Sequence, residues 1–204
     1  MKKLIIVGLF SYLTACSEQP PTLGKLPDNA VILAFGDSLT YGTGATDQES
    51  YPRILSERVT LEVINEGLPG EISREGAERL PALLDQYRPD LMVLIHGGND
   101  MLRKIPPAET VANINRMVAE ARQRNIDIVM LGVPEPNLFW LKSADFYRTL
   151  AETQHIPIDL ETLPAVLSDS TLKSDPIHPN AHGYRLIAEN IEKLLIQTGA
   201  LMPH

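Results

Sequence analysis

Uninterrupted apolar runs alternate along the chain with apolar residues at helical spacing. The run at 31–35 is apolar throughout and is ended by Gly36, a pattern typical of a strand buried on both faces of a parallel sheet. The runs at 91–95 and 126–131 follow the same pattern, and glycine follows each of them closely. Weaker strand candidates lie at 61–65 and 156–158.

Helical patterns lie between these strand candidates. Apolar residues recur at intervals of three and four around 54–59, 77–87 and 111–121. A last helix is expected from about Ala181 to a stop near Gly199. This alternation predicts a doubly wound α/β sheet, and such sheets bind their ligands at the carboxyl ends of the strands.

The first residues of the chain do not fit a core element. Two lysines precede an apolar run over 4–13, which is typical of a secretory signal and too short for a permanent membrane span. The run ends in Leu13-Thr14-Ala15-Cys16, which resembles the lipobox of bacterial lipoproteins. We therefore expect a signal peptide over 1–15 and lipidation of Cys16, with an ordinary cleaved signal and a leftover cysteine as the alternative.

Composition supports one globular domain behind a short tether. Residues 16–28 hold three prolines and no apolar periodicity, so they are expected to be a tether, with the domain over 29–204. The chain has a formal net charge of −8, and Cys16 is its only cysteine. Such an acidic body is expected to avoid nucleic acid and anionic surfaces.

The first candidate for chemistry is Ser38, in the segment Gly36-Asp37-Ser38-Leu39 at the end of the first strand. This position lies at the carboxyl edge of the sheet, close to the backbone N–H groups that begin a helix. A serine hydroxyl is a weak nucleophile until a base removes its proton, so a histidine with an orienting acid is required. Taken alone, the segment is more often a turn in which Asp37 or Ser38 caps the helix.

The second candidate segment, Asp175-Pro176-Ile177-His178-Pro179-Asn180, directly precedes the last helix. Its prolines keep it out of helical structure. An acid three residues before a histidine can bind one ring nitrogen and leave the other free as a base. His178 is then the base and Asp175 its orienting acid. The alternative is a surface loop in which Asn180 caps the helix.

Two glycine-containing loops follow the second and third strands and suggest an oxyanion hole. Asn99 lies in Gly97-Gly98-Asn99-Asp100 after the run at 91–95, where its amide N–H could donate to a tetrahedral intermediate. The loop after the second strand contains Gly67 and Gly70, and either backbone N–H could point toward Ser38. Each loop is also compatible with an ordinary turn.

The residues disfavour a metal site and a phosphate-binding loop. His182 follows His178 by four residues, a spacing that can bind metal on a helix, but Pro179 places His178 outside the helix. The glycine-rich loops lack the Gly-Lys-Ser/Thr ending of a phosphate-binding loop.

Together and in this order, the four segments resemble the sequence blocks of the SGNH branch of GDSL hydrolases, over residues 31–195. The resemblance implies that Ser38 is the nucleophile, with Asp175 and His178 completing the triad. It also implies an oxyanion hole formed by the N–H of Ser38 with Gly70 and Asn99. Gly70 is preferred to Gly67 because it lies five residues after the strand-end Asn65, as in the thioesterase and lysophospholipase subgroup.

The same resemblance implies a flavodoxin-like three-layer α/β/α sandwich with a five-stranded parallel sheet, and no metal or cofactor. The Gly-x-Ser-x-Gly pattern is not found around Ser38, which disfavours the α/β-hydrolase fold. The subgroup most similar is that of thioesterase I, lysophospholipase L1 and arylesterase, so the expected substrate is a small ester, thioester or lysophospholipid. Deacetylation of an envelope polysaccharide, and non-catalytic binding of a lipid or a partner, remain alternatives.

Two further expectations concern the substrate and the location. Leu138, Phe139 and Trp140 follow the fourth strand and are predicted to form an apolar wall for an acyl chain, unless they only cover the sheet edge. The lipobox departs from the subgroup's soluble periplasmic pattern. It implies an exported bacterial lipoprotein that is anchored to a membrane by Cys16 and faces the periplasm. Ser17 after Cys16 favours the outer membrane.

Overall fold

The computed structural model describes residues 21–136 and 141–203. The described part contains five strands, which form one parallel sheet. They are β1 (Val31–Gly36), β2 (Glu62–Gly67), β3 (Leu91–Ile95), β4 (Asp127–Leu131) and β5 (Ile158–Asp159). Their order in the sheet is β2-β1-β3-β4-β5.

Eight α-helices connect and cover these strands in the described part of the chain. They are α1 (Ser38–Tyr41), α2 (Tyr51–Val59), α3 (Ser73–Tyr87), α4 (Gly98–Leu102), α5 (Pro107–Gln123), α6 (Asp145–Gln154), α7 (Thr162–Ser168) and α8 (Ala181–Gln197). Helix α5 packs against α3 and α6, and α8 packs against α2 and α7. These two groups cover the two faces of the sheet, which explains why β1 and β3 are buried almost completely on both sides.

The strand order positions the site. From β1 the chain crosses to β2 on one side, and from β2 it passes over β1 to reach β3 on the other. The loops that leave β1 and β3 therefore diverge at the carboxyl edge and open a crevice between them, which is where doubly wound sheets bind ligands. The predicted α/β sandwich with a five-stranded parallel sheet is confirmed.

Local predictions were most accurate where apolar runs were long. The strands predicted at 31–35, 91–95 and 126–131 are present within one residue at either end. The second strand extends to Gly67, beyond the predicted end, and the fifth has only two residues. Helices α4, α6 and α7 were not predicted. Helices α4 and α7 have only five and seven residues, whereas α6 buries Tyr147, Leu150 and Ala151 at helical spacing and was missed by sequence reasoning.

The segment before β1 lies against the end of the sheet where the strands begin. The N–H groups of Leu23 and Leu26 donate to the carbonyls of Thr198 and Ala200, at 2.8 and 2.9 Å. Leu26 is buried in the core. Part of the segment expected to be a tether thus packs on the domain, upstream of Asn29. Within the described ranges, no helix has the length and apolar character needed to cross a membrane.

Candidate active site

Ser38 is the first residue of α1, immediately beyond the end of β1. Gly36 is required just before it, because a Cβ there would collide with the carbonyl oxygen of Ile95 and with the hydroxyl of Thr40. Asp37 caps the helix, and its Oδ1 accepts from the Leu39 N–H at 3.0 Å. Burial raises the pKa of Asp37 above its ordinary value. The cap Asp37 and the half-buried Ser38 therefore belong to the same turn.

The loop before α8 is held by a dense set of hydrogen bonds. Asp175 Oδ1 accepts from the backbone N–H groups of Ile177 and His178, at 2.8 and 2.9 Å. Asn180 caps α8 by accepting from the N–H groups of His182 and Gly183. Asn180 thus fixes the start of α8, while Asp175 fixes the turn that carries His178.

The structure brings His178 into contact with both Asp175 and Ser38. Its Nδ1 lies 2.7 Å from Asp175 Oδ2, and its Nε2 lies 3.0 Å from Ser38 Oγ. Burial works to raise the pKa of Asp175, but hydrogen bonds from the His178 ring and from two backbone N–H groups hold it below the usual value. An ionised Asp175 favours the tautomer with the proton on Nδ1, which leaves Nε2 as an acceptor for the serine proton.

Gly70 and Asn99 both line the cavity beside Ser38. Gly70 has a positive φ of 81°, a conformation in which glycine carries no steric penalty. Asn99 Nδ2 donates to the carbonyl oxygen of Glu71 at 3.0 Å and makes a longer contact of 3.3 Å with Asp37 Oδ2. Gly67, the competing candidate, ends β2, and its N–H donates to Asn65 Oδ1 at 3.0 Å. The Gly67 N–H is therefore already engaged in a hydrogen bond.

A cavity of about 610 Å³ opens beside these groups. Its described lining is mostly apolar and includes Leu39, Leu102, Val133, Leu141, Leu167 and Ile177. The residues predicted as an acyl-binding wall, Leu138, Phe139 and Trp140, lie outside the described residues, as does Cys16. Pro136 and Leu141, which flank that wall in sequence, both line the cavity.

A buried polar network behind the site was missed by sequence reasoning. Glu71, His96 and Asp100 are each nearly inaccessible to solvent. Asp100 accepts from the N–H and hydroxyl of Ser73 and from the hydroxyl of Thr110. No local pattern marks these residues, because charged side chains are usually exposed and their partners here are distant in sequence.

The candidates for metal binding do not converge in the described part of the chain, where no group of three or more His, Cys, Asp or Glu side chains is arranged to hold an ion. His182 lies in the first turn of α8 and is exposed, whereas His178 lies in the preceding loop. Among the described residues, His178 instead contacts a carboxylate and a serine hydroxyl, those of Asp175 and Ser38.

Comparison with known proteins places the chain in a family. The model of the GDSL-like Lipase/Acylhydrolase family matches residues 34–186. An arylesterase of Vibrio mimicus is 29% identical over 209 residues, covering 97% of this chain and 99% of the relative. The thioesterase 1/protease 1/lysophospholipase L1 of Escherichia coli K12 is 26% identical over 171 residues, covering 80% and 82%. The crystal structure of TesA superimposes with a TM-score of 0.73 at 26% identity, covering 81% of this chain and 97% of TesA.

The family match spans most of the chain and includes both the Ser38 turn and the His178 loop. The chain belongs to the GDSL-like lipase/acylhydrolase family. It is an SGNH-type hydrolase that acts on esters, of the arylesterase and thioesterase kind. The predicted family and enzyme class are confirmed.

Proposed function

We propose that this protein hydrolyses carboxylic esters or thioesters through a covalent acyl-enzyme on Ser38. One observation carries the proposal. His178 Nε2 lies 3.0 Å from Ser38 Oγ and its Nδ1 lies 2.7 Å from Asp175 Oδ2, beside an apolar cavity. This is the contact pattern of a serine nucleophile, a general base and its orienting acid. Lysophospholipids, whose acyl chains are bound as esters, belong to the same substrate class.

In the proposed reaction, His178 Nε2 accepts the Ser38 proton as Oγ attacks the carbonyl carbon. The protonated ring then donates to the departing alcohol or thiol, and the acyl-enzyme forms. Water attacks the acyl-enzyme in the second half, with His178 again taking a proton and returning it to Ser38. Asp175 stabilises the imidazolium at each stage by its contact with Nδ1.

The negative oxygen of each tetrahedral intermediate needs hydrogen-bond donors. We assign this role to the backbone N–H groups of Ser38 and Gly70 and to the side chain of Asn99. One Asn99 N–H is held by Glu71, while its contact with Asp37 is long enough to be exchanged for a contact with the oxyanion. Donors that are fixed before the reaction are worth about 3 to 4 kcal/mol each in the transition state.

The proposed nucleophile is tested with a fluorophosphonate probe, which reacts with activated serines. We expect the intact mass of the folded protein to rise by one phosphonyl group, located by peptide mapping to Ser38. Heat-denatured protein serves as the control and should stay unlabelled, because the reaction depends on the contact between His178 and Ser38. A native protein with no added mass, as a non-catalytic lipid-binding protein would show, contradicts the proposal.

The apolar lining predicts a preference for esters with longer acyl chains. Each methylene buried in the cavity contributes about 0.8 kcal/mol, so kcat/KM should rise about threefold to fourfold per methylene until the cavity is filled. The measurement is kcat/KM for p-nitrophenyl esters from acetate to decanoate. Leu102→Asp, at the cavity rim, should flatten the series, whereas Leu186→Asp, on α8 outside the cavity lining, should leave it unchanged.

A maximum at acetate would instead favour deacetylation of an envelope polysaccharide. That reaction requires a site for a small acyl group and a polar alcohol, unlike the cavity beside Ser38. The mostly apolar lining therefore supports the ester or thioester of a longer acid as the substrate.

We also propose that Cys16 is lipidated and anchors the protein to a membrane, facing the periplasm, with the outer membrane favoured. Residues downstream of Cys16 indicate how the domain is oriented relative to the lipid. Leu23 and Leu26 are bound at the end of the sheet where the strands begin. Ser38 lies at the opposite end, beyond the last residue of β1. The cavity should therefore open away from the lipid attachment.

The anchor is tested by fractionation. We expect the wild-type protein to sediment with membranes and Cys16→Ser to appear in the soluble fraction with undiminished esterase activity. Acylation is checked by a mass increase on the N-terminal peptide. Continued membrane association of Cys16→Ser would contradict lipidation as the anchor.

A further inference from the structure

We propose that Glu71 is a positioning residue that holds Gly70 and Asn99 in place for the oxyanion, and that Arg79 and His96 fix Glu71 for this task. The inference rests on the proposed function and deepens it, because it concerns the support of the same site. Glu71 acts through its neighbours and is not assigned a contact with the substrate.

The carboxylate of Glu71 is held by three hydrogen bonds. Arg79 binds it with two, from Nε to Oε1 at 2.8 Å and from Nη2 to Oε2 at 2.9 Å. Arg79 is itself fixed by Glu66, through the carboxylate at 3.0 Å and the backbone carbonyl at 3.1 Å. Such a two-point contact determines the orientation of the carboxylate as well as its distance.

His96 supplies the third bond and links Glu71 to the loop after β3. Its Nδ1 accepts from the Gly97 N–H at 2.9 Å, and its Nε2 lies 3.1 Å from Glu71 Oε2. Because Nδ1 is an acceptor, the proton must be on Nε2, which then donates to the carboxylate. The ring is completely buried against Gly76, where no larger residue would fit.

The backbone of Glu71 connects this network to both proposed donors. Glu71 directly follows Gly70, and its N–H donates to the carbonyl of Leu68 at 3.1 Å, closing the turn that contains Gly70. Its carbonyl oxygen accepts from Asn99 Nδ2 at 3.0 Å. One residue thus determines where the Gly70 peptide lies and how the Asn99 amide is turned.

The charges of Glu71 and Arg79 indicate that Glu71 positions the oxyanion donors and does not stabilise the oxyanion directly. Burial works to raise the pKa of Glu71, but the bonds from Arg79 and His96 keep it below the ordinary value, so the side chain is ionised. A carboxylate near an oxyanion repels it, and Arg79 offsets that charge. The benefit of Glu71 therefore lies in the geometry it imposes on Gly70 and Asn99.

The test is a double-mutant cycle between Glu71→Gln and Asn99→Ala, with kcat and KM measured on a p-nitrophenyl ester. In Glu71→Gln, the new amide N–H group would face a donor of Arg79 or His96. The hydrogen bond at that position would be lost, which should release the turn that contains Gly70. We expect kcat to fall about tenfold to a hundredfold with KM nearly unchanged, as for a loss confined to the transition state. In the Asn99→Ala background, Glu71→Gln should lower kcat by a clearly smaller factor, because the Asn99 amide that Glu71 positions is already absent.

Arg124→Met is the matched control, since Arg124 also binds two carboxylates, those of Asp85 and Glu120, but lies away from the cavity. It should change thermal stability with little change in kcat. If Glu71→Gln does not fold, Arg79→Lys replaces it, because lysine keeps the charge but cannot bind a carboxylate at two points. The same loss of kcat and the same coupling to Asn99→Ala are expected.

An unchanged kcat, or equal losses in both backgrounds, overturns the positioning role. A parallel rise in KM overturns it as well. These outcomes differ from failure of the proposed function, in which the wild-type protein itself would neither hydrolyse the ester nor react with the fluorophosphonate at Ser38.

Discussion

Replacing Ser38 with alanine is expected to lower kcat for a p-nitrophenyl ester by about 10⁴-fold or more. Loss of a serine nucleophile removes the covalent route entirely, and in a well-characterised serine protease it costs about 10⁶-fold. The Ser38 hydroxyl makes its contact with His178 Nε2 at 3.0 Å, and no other serine or threonine hydroxyl in the described chain makes a hydrogen bond to that nitrogen. No substitute nucleophile is therefore expected.

The measurement compares initial rates of the purified Ser38→Ala variant with those of the wild-type protein. Ser56→Ala is the matched control, because the Ser56 hydroxyl binds the carbonyl of Leu61 next to the start of β2, at the far end of the sheet. Circular dichroism should show the same fold for all three proteins. If Ser38→Ala kept more than about a tenth of the activity, the acyl-enzyme mechanism would be wrong.

The fold was predictable because long apolar runs determine the central strands. β1 and β3 are covered by helices on both faces, so their sequences are apolar at nearly every position and cannot be mistaken for half-exposed strands. β5 has only two residues and is half-buried, and it therefore carries little sequence signal. Helix α4 has five residues, which is too short for a helical period.

The candidate site was partly predictable for a different reason. Ser38, Asp175 and His178 lie in short segments whose spacing carries chemistry, and the structure brings them together over 140 positions of sequence separation. The alternatives weighed against them did not exclude a site. Asp37 caps α1 directly before Ser38, and Asn180 caps α8 two residues after His178, so each segment contains both a helix cap and a candidate catalytic residue.

The network behind the site was not predictable from the sequence. The pairing of Glu71 with Arg79 and His96 depends on contacts between α3 and two loops, and a single sequence does not show which charges meet in three dimensions. Phe35, on β1, adds a contact of the same kind, because the Arg79 guanidinium lies 4.6 Å above its ring. The support of an active site is therefore harder to infer than its reacting groups.

Replacing Asp175 with asparagine is expected to lower kcat by about 10⁴-fold while leaving the loop and KM largely intact. The asparagine Oδ1 still accepts from the N–H groups of Ile177 and His178, so the turn is preserved. Its amide N–H then faces His178 Nδ1 in place of Oδ2. Nδ1 must accept, the proton moves to Nε2, and the ring can no longer take the proton of Ser38.

The Asp175→Asn variant distinguishes the effect of the His178 tautomer from that of the loop conformation, because asparagine changes the tautomer and preserves the turn. Nitrogen-15 spectra of His178 should show protonated Nδ1 in the wild-type protein and protonated Nε2 in Asp175→Asn. Asp169→Asn is the matched control, since Asp169 Oδ1 makes a similar turn with the Thr171 N–H at 2.8 Å without contacting the His178 ring. A wild-type tautomer in Asp175→Asn, together with a loss in kcat below about tenfold, would remove Asp175 from the mechanism and leave it only a structural role in the turn.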